Sequence, residues 1–402
     1  MANEKELNLE HLDKSGWQTY RFEQIAKSIS ERVDPNNTDL KIYVGLEHLD
    51  AETIHIKRFG TPDDVEGQKL RCYPGDVIFG KRRAYQRKAA LVDFDGFCSA
   101  HSMVLRANPN VIDPRLFPFF LHSDTFMHRA IDISVGSLSP TINWGTLKTQ
   151  EFLLPPKDQQ AQLAELLWAM DEVVEREVRM LEKLSVNKKS IFKNSLYNVS
   201  EFNDRFFGKH QSIFNVKKLG SLLTEIQYGI SESLDNQGEI PVLRMNNLQN
   251  GKLLLQDLKF TSPGNGALDR FILNRGDVLF NRTNSYDLVG KVSLFNEKGV
   301  YSFASYLIRL KADTDRLDPR FLNFYLNTAI GLAKIRKYRT PGVSQSNINA
   351  QNIKNVPIPL PSVEKQKEIM DKIDSIEENE TLYEKKILTS KSLQKSLINQ
   401  IF

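Results

Sequence analysis

One pattern is written twice in this chain. "PGDVIF" occupies residues 74–79 of the 402, and "RGDVLF" occupies residues 275–280. The second copy contains an Arg-Gly-Asp triplet, but the first has Pro74 where an adhesion motif needs Arg. In both, Gly-Asp reads as a tight turn and the apolar run after it as entry into a buried strand. The matches continue outward in order. "GWQTYRFEQIA" (16–26) pairs with "IFNVKKLGSLL" (213–223), and "YVGLEHL" (43–49) with "VLRMNNL" (242–248). "HSMVLRA" (101–107) pairs with "ASYLIRL" (304–310), and "IDPRLFPFFL" (112–121) with "LDPRFLNFYL" (317–326). "TINWGTLKTQEFLLPP" (141–156) then pairs with "NINAQNIKNVPIPLPS" (347–362). Six matches in one order are a tandem duplication, and the drifting offset reflects loops of unequal length.

Each repeat has two parts. The first mixes short β-rich runs ("DVIFG", "AALVDF", "DVLFN", "VSLF") with helical stretches at 114–130 and 319–337, punctuated by Pro and Gly. The second opens at Pro155–Pro156 or Pro357–Pro359–Pro361 and continues without Gly or Pro. It reads as one long helix, from Lys157 to about Val199 and from Ser362 to the end. At ~1.5 Å per residue, ~40 residues span roughly 60 Å. Both helices carry a heptad stripe in one frame: Leu163, Leu167, Met170, Val174, Leu181, Leu184 and Ile191, then Ile369, Ile373, Ile376, Glu380, Ile387, Ser390 and Leu397. Glu177, Lys188, Glu380 and Gln394 are polar intruders on it. A stripe sustained over four heptads favours pairing of the two helices as a coiled coil over two separate amphipathic helices. The expected class is α+β, with two domains of one fold at 1–156 and 200–361, helices at 157–199 and 362–402, and an internal pseudo-twofold repeat.

Catalytic signatures are missing. There is no phosphate-cradling Gly-rich loop with Lys-Ser/Thr, no His-Glu-x-x-His and no cysteine pairs. Asn108-Pro109-Asn110 lacks the second Pro and the aromatic of an adenine methyltransferase loop, and Lys69 stands one residue too far from Pro62, Asp63 and Glu66 for a nuclease. His48, His55, His101, His122 and His128 all fall in the first repeat, without counterparts in the second. The chain reads as non-catalytic, with no metal site of its own. Cys72 and Cys98, the only cysteines, fit a reduced cytoplasmic compartment, and the N-terminus shows no signal-peptide core.

The chemistry present is basic. Formal charge is only +4, so attraction to nucleic acid must come from local patches. After the first hexamer, "GKRRAYQRKAA" (80–90) offers Lys81, Arg82, Arg83, Arg87 and Lys88 around Tyr85, with no acid. At the equivalent place "NRTNSYDLVGK" (281–291) offers Arg282, Asn284, Tyr286 and Lys291, and Lys334, Arg336, Lys337 and Arg339 precede "TPGVSQSN". Arg can grip guanine through two bonds, Asn can do so for adenine, and Lys suits phosphate. A solvated face is the plain alternative for any one such run. Two loops that leave the same strand with different letters are what readers of two different words require. Leu166, Trp168 and Val173 lie off the heptad stripe and are candidates for docking a protein partner.

The paired turns, "YVGLEHL"/"VLRMNNL", "DPRLFPFFL"/"DPRFLNFYL" and the helix entries "LLPPKDQQAQLAELL"/"PLPSVEKQKEIMDKI" resemble the DNA specificity subunit of type I restriction-modification systems over nearly the whole chain. The resemblance implies two target-recognition domains held apart by two antiparallel helices, each domain reading one half of a bipartite, asymmetric site in double-stranded DNA. It implies docking of two methyltransferase subunits, which carry S-adenosylmethionine and methylate an adenine in each half, and a translocating restriction subunit where restriction is present. Two other readings stand beside it: a stand-alone DNA-binding regulator without a methyltransferase partner, and a coiled-coil scaffold that binds proteins only.

Overall fold

In the computed structural model, which describes residues 12, 14–197, 213–262, 268–285, 289–340 and 346–402, both hexamers build the same turn. Gly75 and Gly276 take φ of +91° and +96°, a region open to glycine without a Cβ penalty. The N–H of Gly75 donates to the Val92 carbonyl at 2.8 Å, and that of Gly276 to the Phe295 carbonyl at 2.9 Å. The next residue folds inward. Asp76 and Asp277 are buried, and each carboxylate accepts the N–H three residues back, from Tyr73 at 3.0 Å and from Asn274 at 2.9 Å. Burial raises the Asp277 pKa. An adhesion triplet would need that carboxylate outside; here it closes a turn.

The strand after each turn is interior to a four-stranded antiparallel sheet. In the first repeat β1 (Ala26–Ile29), β2 (Val77–Phe79), β3 (Ala89–Leu91) and β4 (Met103–Ala107) lie in the order β1-β4-β2-β3. In the second, β5 (Leu223–Tyr228), β6 (Val278–Asn281), β7 (Val292–Leu294) and β8 (Leu307–Ala312) lie in the order β5-β8-β6-β7. The topology is the same. Every residue of β2 and β6 is buried, as apolar interior strands require.

The register corrects one of the sequence matches. Phe79 pairs with Met103 and Phe280 with Ile308, so 103–107 is equivalent to 308–312. The match of "HSMVLRA" to "ASYLIRL" is therefore two residues out of step. A slip of two leaves every side chain on its own face of a strand, so the letters tolerate it. Arg106 and Arg309 are consequently not equivalents, although each approaches the aspartate of its hexamer. Arg106 meets Asp76 with two bonds of 2.7 and 3.0 Å. Arg309, two residues earlier in the equivalent strand, lies 3.6 Å from Asp277 and also bonds Glu225 and the Ile272 carbonyl, each at 2.8 Å.

Two long helices, α1 (Lys157–Leu196) and α2 (Val363–Ile401), follow the recognition domains. The chain divides into two compact units, one ending at Leu181 and regaining Leu382–Phe402, the other spanning Glu182–Thr381, so each unit contains part of both helices. In the first unit Leu163 and Leu167, near the start of α1, share a core with Leu397, Ile398 and Ile401 at the end of α2. In the second, Phe192 and Leu196 at the end of α1 share a core with Ile369, Met370 and Ile373 at the start of α2. Start meets end in both, so the pair is antiparallel. Three of the four polar intruders are partnered: Lys188 bonds Glu380 and Glu377 in the second unit, and Gln394 reaches Asp171 at 3.5 Å in the first, whereas one carboxylate oxygen of Glu177 is buried without a hydrogen-bond partner. Among the described residues no helix is long and apolar enough to cross a membrane.

Candidate nucleic-acid interface

Strand β2 leaves its sheet at Phe79 and β6 at Asn281, and the backbone that follows is fixed in the same way. The N–H of Ile142 donates to the Lys81 carbonyl at 2.9 Å, and the N–H of Ile348 to the Arg282 carbonyl at 2.9 Å. Arg82 forms an antiparallel bridge with Thr141, as Thr283 does with Asn347. Thr141 in turn bridges Val135, and Asn347 bridges Thr340. Lys81 thus stands where the second repeat has Arg282, Arg82 where it has Thr283, and Arg83 where it has Asn284. Main-chain bonds hold this edge, which frees the side chains to differ.

The contiguous basic run of the first repeat is split by the fold. Arg82 and Arg83 are exposed, and Tyr85 between the two groups is 54% exposed. The Arg83 N–H donates to the Pro140 carbonyl at 2.7 Å and its Nε to Ser139 Oγ at 3.2 Å. Lys81 is half-buried; burial lowers its pKa, and the charge of Arg32 adds to the effect. Arg87 and Lys88 turn inward, contrary to the expectation that both face DNA. Arg87 donates to the His122 carbonyl at 2.7 Å and pairs with Asp124 at 2.8 Å and Glu52 at 3.3 Å, while Lys88 donates to the Leu46 carbonyl at 2.6 Å. The cause is local: a single helical turn, Ala84–Gln86, is bracketed by left-handed Arg83 (φ +56°) and Arg87 (φ +52°), which reverses the chain.

In the second repeat the Arg282 guanidinium lies 5.0 Å from the centre of the Tyr228 ring, and its Nη1 donates to the Ser305 carbonyl at 3.3 Å. The Tyr228 hydroxyl accepts the N–H of Ala350 at 3.0 Å, so the ring itself is held. Sequence reasoning missed Tyr228; an aromatic at the exposed end of β5 was the available signal. Asn284 is half-buried, with its carbonyl oxygen accepting the N–H of Ser285 at 2.8 Å. Tyr286 lies outside the described residues. Lys291 is half-buried beside Gly290, its carbonyl accepting the Asn281 N–H at 2.8 Å. Lys334 and Arg336 end the helix Ala329–Arg336; Arg336 and Lys337 are exposed, and Lys334 and Arg339 half-buried. Two hydrogen bonds between Thr340 and Asn347, at 2.9 and 3.1 Å, tie that basic run to the edge that carries Arg282.

Of the three docking candidates only Val173 is exposed, at 48%. Leu166 and Trp168 pack partly against the core of the first unit; Trp168 lies edge-on to Phe119 and donates its indole N–H to the Arg115 carbonyl at 2.9 Å. A side chain off the helix–helix stripe can still face the domain that precedes the helix, and these two do. No cluster of metal-ligating side chains occurs among the described residues.

Residues 14–185 and 211–390 match the family model described as "Type I restriction modification DNA specificity domain", one match to each repeat. The EcoKI specificity subunit of Escherichia coli K12 is 24% identical over 356 residues, 82% of this chain and 75% of that protein. The StySPI specificity subunit of Salmonella potsdam is 22% identical over 359 residues, again 82% and 75%. The fold is shared with a type I restriction-modification S subunit from M. genitalium, at TM-score 0.56 and 12% identity over 100% of this chain and 98% of that one. It is shared equally with a chain solved in a study of complex assembly and conformational transition of the type I R-M system, at TM-score 0.56 and 20% identity over 96% and 97%. With both repeats matched, this chain belongs to the type I restriction modification DNA specificity domain family, whose role is to specify DNA and not to catalyse.

Proposed function

We propose that this chain is the DNA-reading subunit of a type I restriction-modification complex, and that each repeat reads one half of a bipartite, asymmetric site in double-stranded DNA. The observation that carries the reading is the shared edge after β2 and β6. The same backbone hydrogen bonds present Lys81, Arg82 and Arg83 in one repeat and Arg282, Thr283 and Asn284 in the other. One scaffold that carries two different sets of side chains suits a reader of two words. Arg82, Arg83 and Tyr85 serve the first half; Arg282, backed by Tyr228, and Asn284 serve the second. Lys81, Lys291, Lys334, Arg336, Lys337 and Arg339 supply phosphate contacts, which position the protein and carry the salt dependence.

Two methyltransferase subunits supply the chemistry and bind S-adenosylmethionine; restriction subunits join where the system restricts. Val173 contributes to their docking surface. The test is methylome sequencing of cells in which the chain is co-expressed with its methyltransferase. Exchanging residues 80–90 for the corresponding loop of a relative with another target should change one half of the methylated motif and leave the other intact. Methylation that ignores the exchange would refute the assignment.

A further inference from the structure

An apolar tip rides on the basic edge of the first repeat. Val135 and Thr141 close a hairpin with two backbone bonds of 3.0 and 2.9 Å, and Gly136 makes its turn at φ +115°. At the tip Leu138 is 91% exposed, and Val135 at the base is 71% exposed. The hairpin is fastened to the basic loop through Arg83: its N–H donates to the Pro140 carbonyl at 2.7 Å and its Nε to Ser139 Oγ at 3.2 Å. Arg82 adds the bridge to Thr141. Neither of the two segments meeting here, 80–92 and 133–150, contains an Asp or Glu.

Leu138 and Val135 contribute little to the domain's core and stand together on one hairpin, where an apolar partner would cover both. The charge beside it says which kind. Arg82 and Arg83, with no carboxylate in either segment, complement a polyanion and repel a basic protein surface. In duplex DNA the apolar group within reach of a two-stranded ribbon is the C5-methyl of thymine, which projects into the major groove beside the acceptors that Arg reads.

We propose that Leu138 is a specificity-determining residue that packs on a thymine methyl in the first half-site, next to the bases or phosphates met by Arg82 and Arg83. This rests on the reading of the chain as a DNA-specificity subunit. The hairpin delivers the leucine into the groove, and the arginine fastening sets its depth. Exchange of thymine for uracil removes the methyl and no hydrogen-bonding group, so it isolates the contact.

The experiment uses the full chain assembled with its methyltransferase subunits and two randomised duplex libraries, one made with thymine and one with deoxyuridine; the bound fraction is sequenced. In the thymine library one position of the first half-site should prefer T. In the uracil library that preference should fall about fourfold, the factor expected for one methyl group kept in water. Leu138→Ala should give the same loss on thymine DNA and no further loss on uracil DNA, with the second half-site unchanged as the internal control. A first half-site without thymine on either strand overturns the proposal. So does a loss in Leu138→Ala that is equal for thymine and uracil, which would mark a wedge or a backbone contact. Failure of Leu138→Ala to hold its methyltransferase subunits on gel filtration without DNA would mark a protein contact and overturn it too. If the unsubstituted complex enriches no sequence at all, the DNA-reading assignment fails before the leucine is at issue.

Discussion

The side-chain oxygen of Gln160 accepts the backbone N–H of Asp113 at 2.6 Å, across the junction between the first recognition domain and helix α1. Its Nε2 donates to the carbonyls of Val111 at 2.9 Å and Pro155 at 2.8 Å. Gln366 repeats this at the start of α2, accepting from Asp318 at 2.8 Å and donating to Arg316 and Pro361, both at 2.9 Å. Both glutamines are buried. Each satisfies three main-chain groups that no regular element pairs. Gln366→Leu should cost about 1–3 kcal/mol per group left unsatisfied. Denaturant unfolding of the full chain measures this; a change within error would show that the clamp is incidental.

Two histidines of the first unit should pull acid stability in opposite directions. His55 Nε2 lies 2.6 Å from Asp171 Oδ2, and this bond raises the His55 pKa above its ordinary 6.5. Its contribution is complete below pH 6.5 and is lost as pH rises through the higher folded value. His122 is buried, its ring bonded to the Ala89 carbonyl at 2.7 Å, and burial lowers its pKa to about 4. It therefore costs stability as pH falls from 6.5 towards 4. Melting curves between pH 4.5 and 8.5 should show His55→Gln losing stability mainly on the acid side, and His122→Gln gaining resistance to acid relative to the parent.

Arg87→Ala and Arg82→Ala should fail differently. Arg87 is bound to His122, Asp124 and Glu52 inside the domain, so its loss should lower stability by about 1–3 kcal/mol and leave the methylated motif intact. Arg82 is exposed, so its loss should spare the melting temperature and relax one half-site, by about 1–3 kcal/mol of discrimination if it holds a base through two bonds. Unfolding curves and methylome sequencing of both variants separate the roles.

Tyr228 should matter through Arg282. Tyr228→Ala removes the stacked ring and the acceptor for the Ala350 N–H, whereas Tyr228→Phe keeps the ring alone. The alanine variant should relax the second half-site and the phenylalanine variant should retain most of its selectivity. Equal loss in both would assign the effect to the hydroxyl.

Lys188 and Glu380 offer a double-substitution test of the helix pair. Both are mostly shielded, with 18% and 13% of their side chains exposed. Lys188→Met alone removes the cation that Glu380 bonds, while Glu377 keeps Lys252 at 3.7 Å, and should destabilise by about 1–3 kcal/mol. The double variant Lys188→Met, Glu380→Leu should recover most of that loss, because an apolar pair suits the stripe. Additive losses would mean the two side chains do not interact.

The duplication, the paired turns, the helices and their stripe were all legible in the letters, because each rests on local chemistry. Glycine is needed where φ is positive, an aspartate caps its own turn, and heptad spacing survives any surroundings. Three things were decided only by the tertiary structure. Which residues of β4 and β8 are equivalent was one, since a shift of two residues in the alignment conserves the face of every side chain and leaves no trace in polarity. The fate of Arg87 and Lys88 was another: in sequence they continue the basic run of Arg82 and Arg83, but a chain reversal between left-handed residues points them at carbonyls and carboxylates from residues 46–124. The last was the stacking of Tyr228 on Arg282, two residues 54 positions apart. Charge and aromaticity say what a side chain can bind, but only the folded backbone decides which way it faces.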